Sequence, residues 1–358
     1  MEVSPLGEVL AALMFVGVIG ALMLGFPVAF SLAGTALIFG GAGILLGVFD
    51  PSNLASLASR YTGTMTSEVL VAVPLFIFMG VILERSGIAE RLLLTMGKLF
   101  GHVRGGLGFS VVLVGALLAA STGVVGATVV TMGLISLPAM LRAGYDPKLA
   151  SGVICASGTL CQIIPPSTVL IFMGDMLSSI NAEVQMQKGN FAPEPVSVGA
   201  LFAGAFLPGL VLVVLYCGWI AFRAIVAPES VPATPPSPEE RGGLGREVVV
   251  ALLPPLLLIL AVLGSILGGI ATPTEAASVG SIGALILAAF ARQLNLRMLQ
   301  QAVIATASVT SMVFIILFGA AVFSIVFRLM GGEALVDGLL TNMPGGAVGA
   351  TIIVMAVM

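Results

Sequence analysis

Two adjacent prolines, Pro165 and Pro166, lie in CQIIPPSTVL, a run apolar enough for a lipid bilayer. Since proline lacks a backbone N–H and clashes with the preceding turn, the pair predicts a break in a membrane helix. Such a break needs a cover of protein or a polar cavity. The freed carbonyls of residues 158–163 could coordinate a cation, and the next helix start, at Ser167 and Thr168, could attract an anion. A packing kink is the alternative interpretation.

A second polar element is STGVVG, residues 121–126, at the midpoint of a long apolar segment. Its hydroxyls on Ser121 and Thr122 and its flexible backbone at Gly123 offer the oxygen ligands that suit Na⁺. Close helix packing through small residues is the alternative, because Gly, Ser and Thr commonly serve that purpose in membranes.

Three further polar residues lie in or beside apolar runs. Glu275 could relay protons, but TPTE has the capping-box pattern, with Thr272 at the N-cap and Pro273 at the first helical position. We expect Glu275 to cap a helix and Asp175 to be a solvated helix end. Gln162, one turn before the prolines, is costly to leave unpaired in hydrocarbon.

Composition limits the class of protein. The 358 residues are 58% hydrophobic and 9% charged, with a mean hydropathy of +1.17, which predicts an all-α polytopic membrane protein. A net charge of −3 gives no basic field for nucleic acid. We expect Cys155, Cys161 and Cys217 to be small core residues. His102 is the only histidine, so a histidine-based metal site or catalytic triad is excluded, and the chain is not expected to be an enzyme.

Apolar runs predict eight spans, near 7–24, 28–48, 68–84, 149–175, 198–226, 247–268, 274–291 and 302–327. The span 149–175 is the one that the prolines break. Residues 107–141 predict a hairpin that enters the membrane, turns halfway and leaves on the same side. Residues 87–103 alternate apolar and polar positions at helical spacing, which predicts an arm helix along the interface.

Residues 227–246 are rich in Pro, Gly and charge, and predict a linker. If the loop after the third span is cytoplasmic, eleven of the fourteen Lys and Arg residues lie inside. This topology places the N-terminus outside, and the linker and the hairpin opening in the cytoplasm.

The linker separates two halves that resemble each other weakly. PVAFSLAG, from Pro27, aligns with PTEAASVG, from Pro273, and FIFMG aligns with IILFG 239 residues later. Five crossings precede the linker, so the halves have opposite topology, a transporter signature. We expect residues 1–226 and 247–358 to be inverted repeats. The counterparts of the hairpin and of Pro165 would lie beyond Met358, so the second repeat is expected to stop before its hairpin.

One long stretch, STGVVGATVVTMGLISLPAMLRAGYDPKLASGVICASGTLCQIIPPS, resembles the signature region of the large membrane subunit of TRAP transporters, the DctM-like family of the ion transporter superfamily. PLFIFMGVILERSG and GGIATPTEAA also resemble segments of that family. The resemblance covers essentially the whole chain.

The resemblance implies Na⁺-coupled uptake of a small organic acid by an elevator mechanism in a bacterial inner membrane. The implied partners are a four-helix small membrane subunit and a periplasmic substrate-binding protein, with no cofactor besides the coupling Na⁺. By resemblance, the cation site contains Ser121, Thr122, Gly123, Ser157, Gly158 and Thr159. The implied substrate site contains Pro165, Pro166 and Ser167, and the polar side chain of Gln162 makes it a fourth candidate.

Two departures from the family pattern affect these expectations. Val124 and Val125 replace a pair of serines, which leaves backbone carbonyls as the ligands there. Cys161 and Gln162 replace Gly-Pro, and Gln162 suggests a different substrate subgroup. Three other functions stay open: a single-component Na⁺ or H⁺ carrier of organic anions, a non-transporting membrane scaffold and, remotely, an intramembrane enzyme.

Overall fold

The computed structural model describes residues 5–122, 125–235, 244–341 and 346–357, and these ranges contain helices and no strand. Six of the described helices are long and apolar enough to cross a membrane, or seven if the bent pair Ala72–Arg85 and Glu90–Phe100 forms one span. The prediction of an all-α polytopic membrane protein is confirmed.

The α-helices agree with the predicted spans to within a few residues at most boundaries. They are Pro5–Met23, Val28–Leu45, Ser56–Met65, Ala72–Arg85, Ile88–Phe100, Gly106–Thr122, Val125–Arg142, Pro147–Thr159, Thr168–Gln187, Val198–Val226, Leu244–Leu267, Pro273–Phe290, Leu296–Leu329, Gly332–Thr341 and Gly346–Val357. Short 3₁₀ helices occupy Pro51–Ala55, Leu160–Gln162 and Pro228–Ser230. The agreement has a physical reason: a run long enough to span lipid must pair all its backbone groups internally, as a helix does.

The helix Ser56–Met65 was not predicted, because its sequence, SLASRYTGTM, mixes polar with apolar residues and contains no apolar run. A short capping signal precedes it, since the Asp50 carboxylate accepts a hydrogen bond from the backbone N–H of Ser52 at 2.8 Å and Pro51 follows directly. Hydrogen bonds from Ser52 lower the pKa of Asp50. An aspartate at the N-cap with proline after it is therefore the signal that could have located this segment.

The prediction that Asp175 is a solvated helix end is wrong. The helix after the prolines continues to Gln187, and Asp175 is a half-buried residue within it. The Ser67 hydroxyl donates a hydrogen bond to Asp175 Oδ1 at 2.9 Å. A hydroxyl partner lowers the cost of keeping a carboxylate between helices, so the charge does not end the helix.

The structure forms two compact units, and the first comprises Met1–Thr66 and Ser311–Met358. In it Val28–Leu45 approaches the later part of Leu296–Leu329 so closely that a Cβ on Gly319 would lie 2.5 Å from the carbonyl oxygen of Ala29. Residue 319 must therefore be glycine, because any Cβ there would clash with the backbone of Ala29.

The second unit comprises Ser67–Thr310. Ala72–Arg85 packs along Pro273–Phe290, where the Ser281 hydroxyl donates to the Leu75 carbonyl at 2.9 Å. The predicted capping box is confirmed: the Thr272 N–H donates to Glu275 Oε2 at 2.8 Å, and the Glu275 N–H donates to Thr272 Oγ1 at 3.3 Å.

The base of the predicted hairpin is anchored by residues that the sequence assigned to the linker. The Gly105 N–H donates to the Val231 carbonyl at 3.1 Å, and the Asp146 N–H donates to the Ser230 carbonyl at 3.1 Å. Val231 itself is fully buried. The segment after Val198–Val226 therefore holds both ends of the hairpin.

Candidate cation and substrate site

The helix Pro147–Thr159 begins in a turn that fixes it to the preceding hairpin helix. Gly144, with φ 84°, ends Val125–Arg142, and the Tyr145 N–H then donates to the Met140 carbonyl at 3.0 Å. This left-handed glycine and its hydrogen bond form the usual stop of a helix. Burial raises the pKa of the Tyr145 hydroxyl in this turn. The Asp146 carboxylate then accepts from the Lys148 N–H at 3.1 Å and starts the next helix.

The break lies at the predicted place. Pro147–Thr159 ends in the 3₁₀ turn Leu160–Gln162, and the next helix begins at Thr168 after a non-helical segment. Pro165 and Pro166 are both buried in that segment, and the peptide bond between them is cis.

Ser167 joins the two half-helices through its hydroxyl. Ser167 Oγ donates to the Gln162 carbonyl at 2.7 Å and accepts from the Leu170 N–H at 3.4 Å. The residue is fully buried. One hydroxyl can donate and accept together, so Ser167 satisfies a carbonyl of the first half and an N–H of the second. It is the N-cap of Thr168–Gln187.

Ser157 and Gly158 lie where the two hairpin helices approach the helix before the break. A Cβ on Gly115, in Gly106–Thr122, would lie 2.7 Å from the Cβ of Ser157. A Cβ on Gly158 would lie 2.3 Å from Cγ2 of Val129, which belongs to the second hairpin helix. Adjacent residues thus contact different arms of the hairpin.

The chemistry of Ser157 is compatible with a cation ligand. Its hydroxyl donates to the Val153 carbonyl at 2.6 Å, in a fully buried position. Because this bond uses the hydroxyl proton, the oxygen keeps its lone pairs as acceptors. Thr159 differs, because it is exposed and its hydroxyl donates to the Ala156 carbonyl at 2.8 Å.

The hairpin tip is described in part. Ser121 and Thr122 end Gly106–Thr122, and Val125 begins the next helix. Gly123 and Val124 lie outside the described residues. The structure brings Ser157 and Gly158 against the hairpin, and it joins Gln162 to Ser167 through the backbone of Gln162.

The contact of Thr128 with the break was not predicted from the sequence. Thr128 is buried in the second hairpin helix and forms a side-chain hydrogen bond with the thiol of Cys161 at the break. A hydroxyl within the apolar run GATVV was the available signal. The expectation that all three cysteines are core residues holds for Cys161, whereas Cys155 is exposed and Cys217 is half-buried.

A third helix covers the other side of the break. In Val198–Val226, a Cβ on Gly209 would lie 2.9 Å from Cγ1 of Ile164 and 3.7 Å from Cγ2 of Ile163. The break is therefore enclosed by the hairpin and by this helix, as broken backbone in a membrane requires.

The hairpin and the residues around the break contain two long stretches without a charged residue. From Gly106 to Leu141 and from Leu149 to Gly174 the sequence has no Asp, Glu, Lys, Arg or His. A carboxylate bound there would find no charged side chain within these stretches to neutralise it. Its partners would be hydroxyls, the backbone, the N-terminal end of Thr168–Gln187 and any cation bound with it.

Comparison with known proteins gives consistent matches. The family model "DctM: Tripartite ATP-independent periplasmic transporter, DctM component" matches residues 15–358. The chain is 33% identical over 334 residues to the C4-dicarboxylate TRAP transporter large permease protein DctM of Rhodobacter capsulatus, covering 92% of the chain and 72% of that relative.

Two further relatives show the same pattern. The protein of the same name from Vibrio cholerae is 33% identical over 280 residues, 78% of the chain and 56% of that relative. The ectoine/5-hydroxyectoine TRAP transporter large permease protein UehC of Ruegeria pomeroyi is 30% identical over 317 residues, 88% of the chain and 68% of that relative. The matched region thus spans between about half and three quarters of these relatives.

Proposed function

Because the chain belongs to the DctM family of tripartite ATP-independent periplasmic transporters, we propose that it is the large membrane subunit of a transporter that imports a small carboxylate together with Na⁺. The observation that carries this proposal is a broken helix whose own stretch, Leu149 to Gly174, and whose covering hairpin, Gly106 to Leu141, contain no charged residue. A carboxylate entering an uncharged, enclosed site is strongly disfavoured unless an opposite charge enters with it. Cation and substrate then stabilise each other, which is the basis of coupled transport.

The Na⁺ ion is proposed to bind between the hairpin tip, Ser121 to Gly123, and the segment from Ser157 to Thr159 with the carbonyls that follow it. The buried Ser157 oxygen and its acceptor lone pairs support this assignment. Thr159 is the weakest member of the set in geometric terms, because its side chain is exposed.

The substrate carboxylate is proposed to bind beside Gln162, Pro165, Pro166 and Ser167. The start of Thr168–Gln187 at Ser167 supports this assignment, because N-terminal N–H groups and the helix dipole favour an anion. The relatives are named for C4-dicarboxylates and for ectoine, compounds that share a carboxylate group.

The working assembly is proposed to contain a small four-helix membrane subunit and a periplasmic binding protein, in a bacterial inner membrane with the N-terminus of this chain in the periplasm. The hairpin and the broken helix would carry the site across the membrane as an elevator. A single-component carrier of organic anions is the second candidate. Its uptake would not require a binding protein, which distinguishes the two.

Uptake in proteoliposomes tests the proposal. The complete transporter is reconstituted, and the ligand that co-purifies with its binding protein is identified by mass spectrometry and supplied in labelled form. C4-dicarboxylates and ectoine are the first candidates, since the relatives are named for them. We expect uptake that requires the binding protein and an inward Na⁺ gradient, with loss of uptake when K⁺ replaces Na⁺. Uptake that persists in K⁺, or that is driven by a pH gradient alone, would contradict Na⁺ coupling.

A further inference from the structure

The segment from Ser67 to Arg85 is joined to the hairpin and the broken helix by two side-chain hydrogen bonds. At one end, Ser67 Oγ donates to Asp175 Oδ1 at 2.9 Å, in the helix after the break. At the other end, Thr131 Oγ1, in the second hairpin helix, donates to Glu84 Oε1 at 2.5 Å. The helix Ala72–Arg85 between them has 14 residues and is about 20 Å long.

Both contacts pair a carboxylate with a hydroxyl in partly enclosed surroundings. All four side chains are half-buried. Hydrogen bonds to a carboxylate are shorter and stronger than those between neutral groups, more so where water is scarce. The cation next to Glu84 is engaged elsewhere, since Arg85 donates to Gln301 Oε1 at 2.8 Å.

The sequence around Thr131 makes this contact specific to one position. One helical turn later stands Ile135, which has no side-chain donor, and one turn earlier stands Thr128, whose side chain is already hydrogen-bonded to the Cys161 thiol. If the hairpin moved by one turn along Ala72–Arg85, Glu84 would face an apolar side chain or a hydroxyl with another partner, and the carboxylate would lose its hydrogen bond at a cost.

The same displacement would separate Asp175 from Ser67. The preceding turn of the helix carries Ile171, which has no polar group, and the following turn carries Ser179, whose hydroxyl already donates to the Asp175 backbone carbonyl at 3.0 Å. One contact is made by the hairpin and the other by the broken helix, the two elements proposed to move together. A one-turn displacement of these elements along Ala72–Arg85 would break both contacts.

We propose that Ser67–Asp175 and Thr131–Glu84 form a two-point latch that holds the hairpin and the broken helix at one position along Ala72–Arg85. The latch must open for the site to cross the membrane. This inference rests on the proposed transport function. It extends that function because it names residues that stabilise one of the two positions between which the site would move.

Site-directed cross-linking tests the latch. Two variants carry cysteine pairs, Glu84→Cys with Thr131→Cys and Ser67→Cys with Asp175→Cys, and each is treated with a short bis-methanethiosulfonate reagent in the reconstituted transporter. The unsubstituted chain, with its three native cysteines, receives the same treatment as the control. We expect each cross-link to lower uptake by about tenfold or more, and reduction to restore it, because the site can no longer move.

The outcomes separate the latch from the transport function. If a cross-linked pair transports at its rate before treatment, the segment travels with the hairpin and the latch is wrong, whereas transport itself stands. If the untreated, unsubstituted transporter has no Na⁺-driven uptake, the proposed function is wrong, and the latch that rests on it is wrong as well. If reagent treatment lowers uptake by the cysteine pairs no more than uptake by the unsubstituted control, the inference is overturned.

Substitution of Thr131 gives an independent measurement. Thr131→Val keeps the shape and removes the donor, and Thr131→Ser restores it. Loss of a hydrogen bond to a carboxylate changes an equilibrium by about tenfold or more, so Thr131→Val should alter the maximal rate several-fold and Thr131→Ser should recover it. An equal effect of both variants would indicate packing alone and contradict the latch.

Discussion

Two proline pairs lie in apolar helical segments of this chain, and they have opposite effects. Pro165 and Pro166 separate two helices by a non-helical segment, whereas Pro254 and Pro255 lie inside the continuous helix Leu244–Leu267. Each proline removes a donor in either place. The difference therefore depends on what replaces the missing hydrogen bonds.

The two pairs differ in the residue that follows them, because only one of these residues has a side chain that can replace a missing hydrogen bond. After Pro166 comes Ser167, whose hydroxyl bonds to both half-helices, whereas Leu256 follows Pro255 and has no polar group. At the second pair, the carbonyls left without a helical donor belong to Val250 and Ala251, which line a cavity of about 490 Å³. Arg91, Lys98 and Glu247 also line this cavity, so polar side chains lie in the same cavity as these two carbonyls.

The largest effect is expected from replacing each proline pair by alanine. At Pro165 and Pro166 the new donors allow the helices to join, and displacement of the site by even about 1 Å lowers uptake about a hundredfold. At Pro254 and Pro255 the helix already exists, so the same change should leave uptake intact and raise the melting temperature, because alanine favours a helix interior. Parallel uptake and thermal unfolding assays measure both, and equal behaviour of the two pairs would refute the distinction.

Ser167→Ala sharpens the comparison through the bridging hydroxyl. Ser197→Ala is the matched control, since Ser197 also caps a helix with a 3.4 Å hydrogen bond, to Ala200, but is exposed. Ser167→Ala leaves the Gln162 carbonyl without this donor in a partly buried position, which should cost about 1–3 kcal/mol more than the control. Equal losses of stability in thermal unfolding would show that only capping matters at Ser167.

Gly209→Ala tests the cover of the break. The new Cβ would press on Ile164, which should cost about 1–3 kcal/mol. Gly218→Ala, in the same helix with no neighbour within 4 Å of its Cβ, should be neutral or slightly stabilising. The difference in melting temperature measures the close approach, and no difference would mean that Ile164 repacks freely.

The smallest effect is expected from Leu256→Ser, which gives the second proline pair the same following residue as the first, so that both read Pro-Pro-Ser. The helix is already complete at this point, so stability should change by about 0.5 kcal/mol or less. Cysteine-accessibility mapping along Leu244–Leu267 should keep its helical period. Loss of that period would show that Pro-Pro-Ser alone is sufficient to break a membrane helix.

Much of the fold follows from the sequence because lipid imposes strong rules. The long apolar helices and the capping box at Thr272 arise from local apolar patterns and short capping motifs, which act within one element. The break at Pro165 follows from the same local chemistry. The inverted repeat, the orientation in the membrane and the cation site remain predictions.

The sequence did not indicate the contacts between distant segments. Asp175 was expected at a solvated end because its partner, Ser67, is 108 residues away. Thr128 and Gly209 contact the break from other helices, and neither has a pattern that identifies its neighbour. Pairing of this kind depends on how helices pack, which small residues permit at many positions.

The role of Na⁺ at the break is tested most directly by a Na⁺ titration of uptake with Ser157→Ala and Ser151→Ala. Ser151 lies in the same helix, is exposed, and donates to the Pro147 carbonyl at 2.8 Å, much as Ser157 donates to Val153. Loss of one cation ligand should raise the Na⁺ concentration for half-maximal uptake about tenfold in Ser157→Ala, with Ser151→Ala unchanged. An unchanged Na⁺ requirement in Ser157→Ala would contradict a cation site at the break.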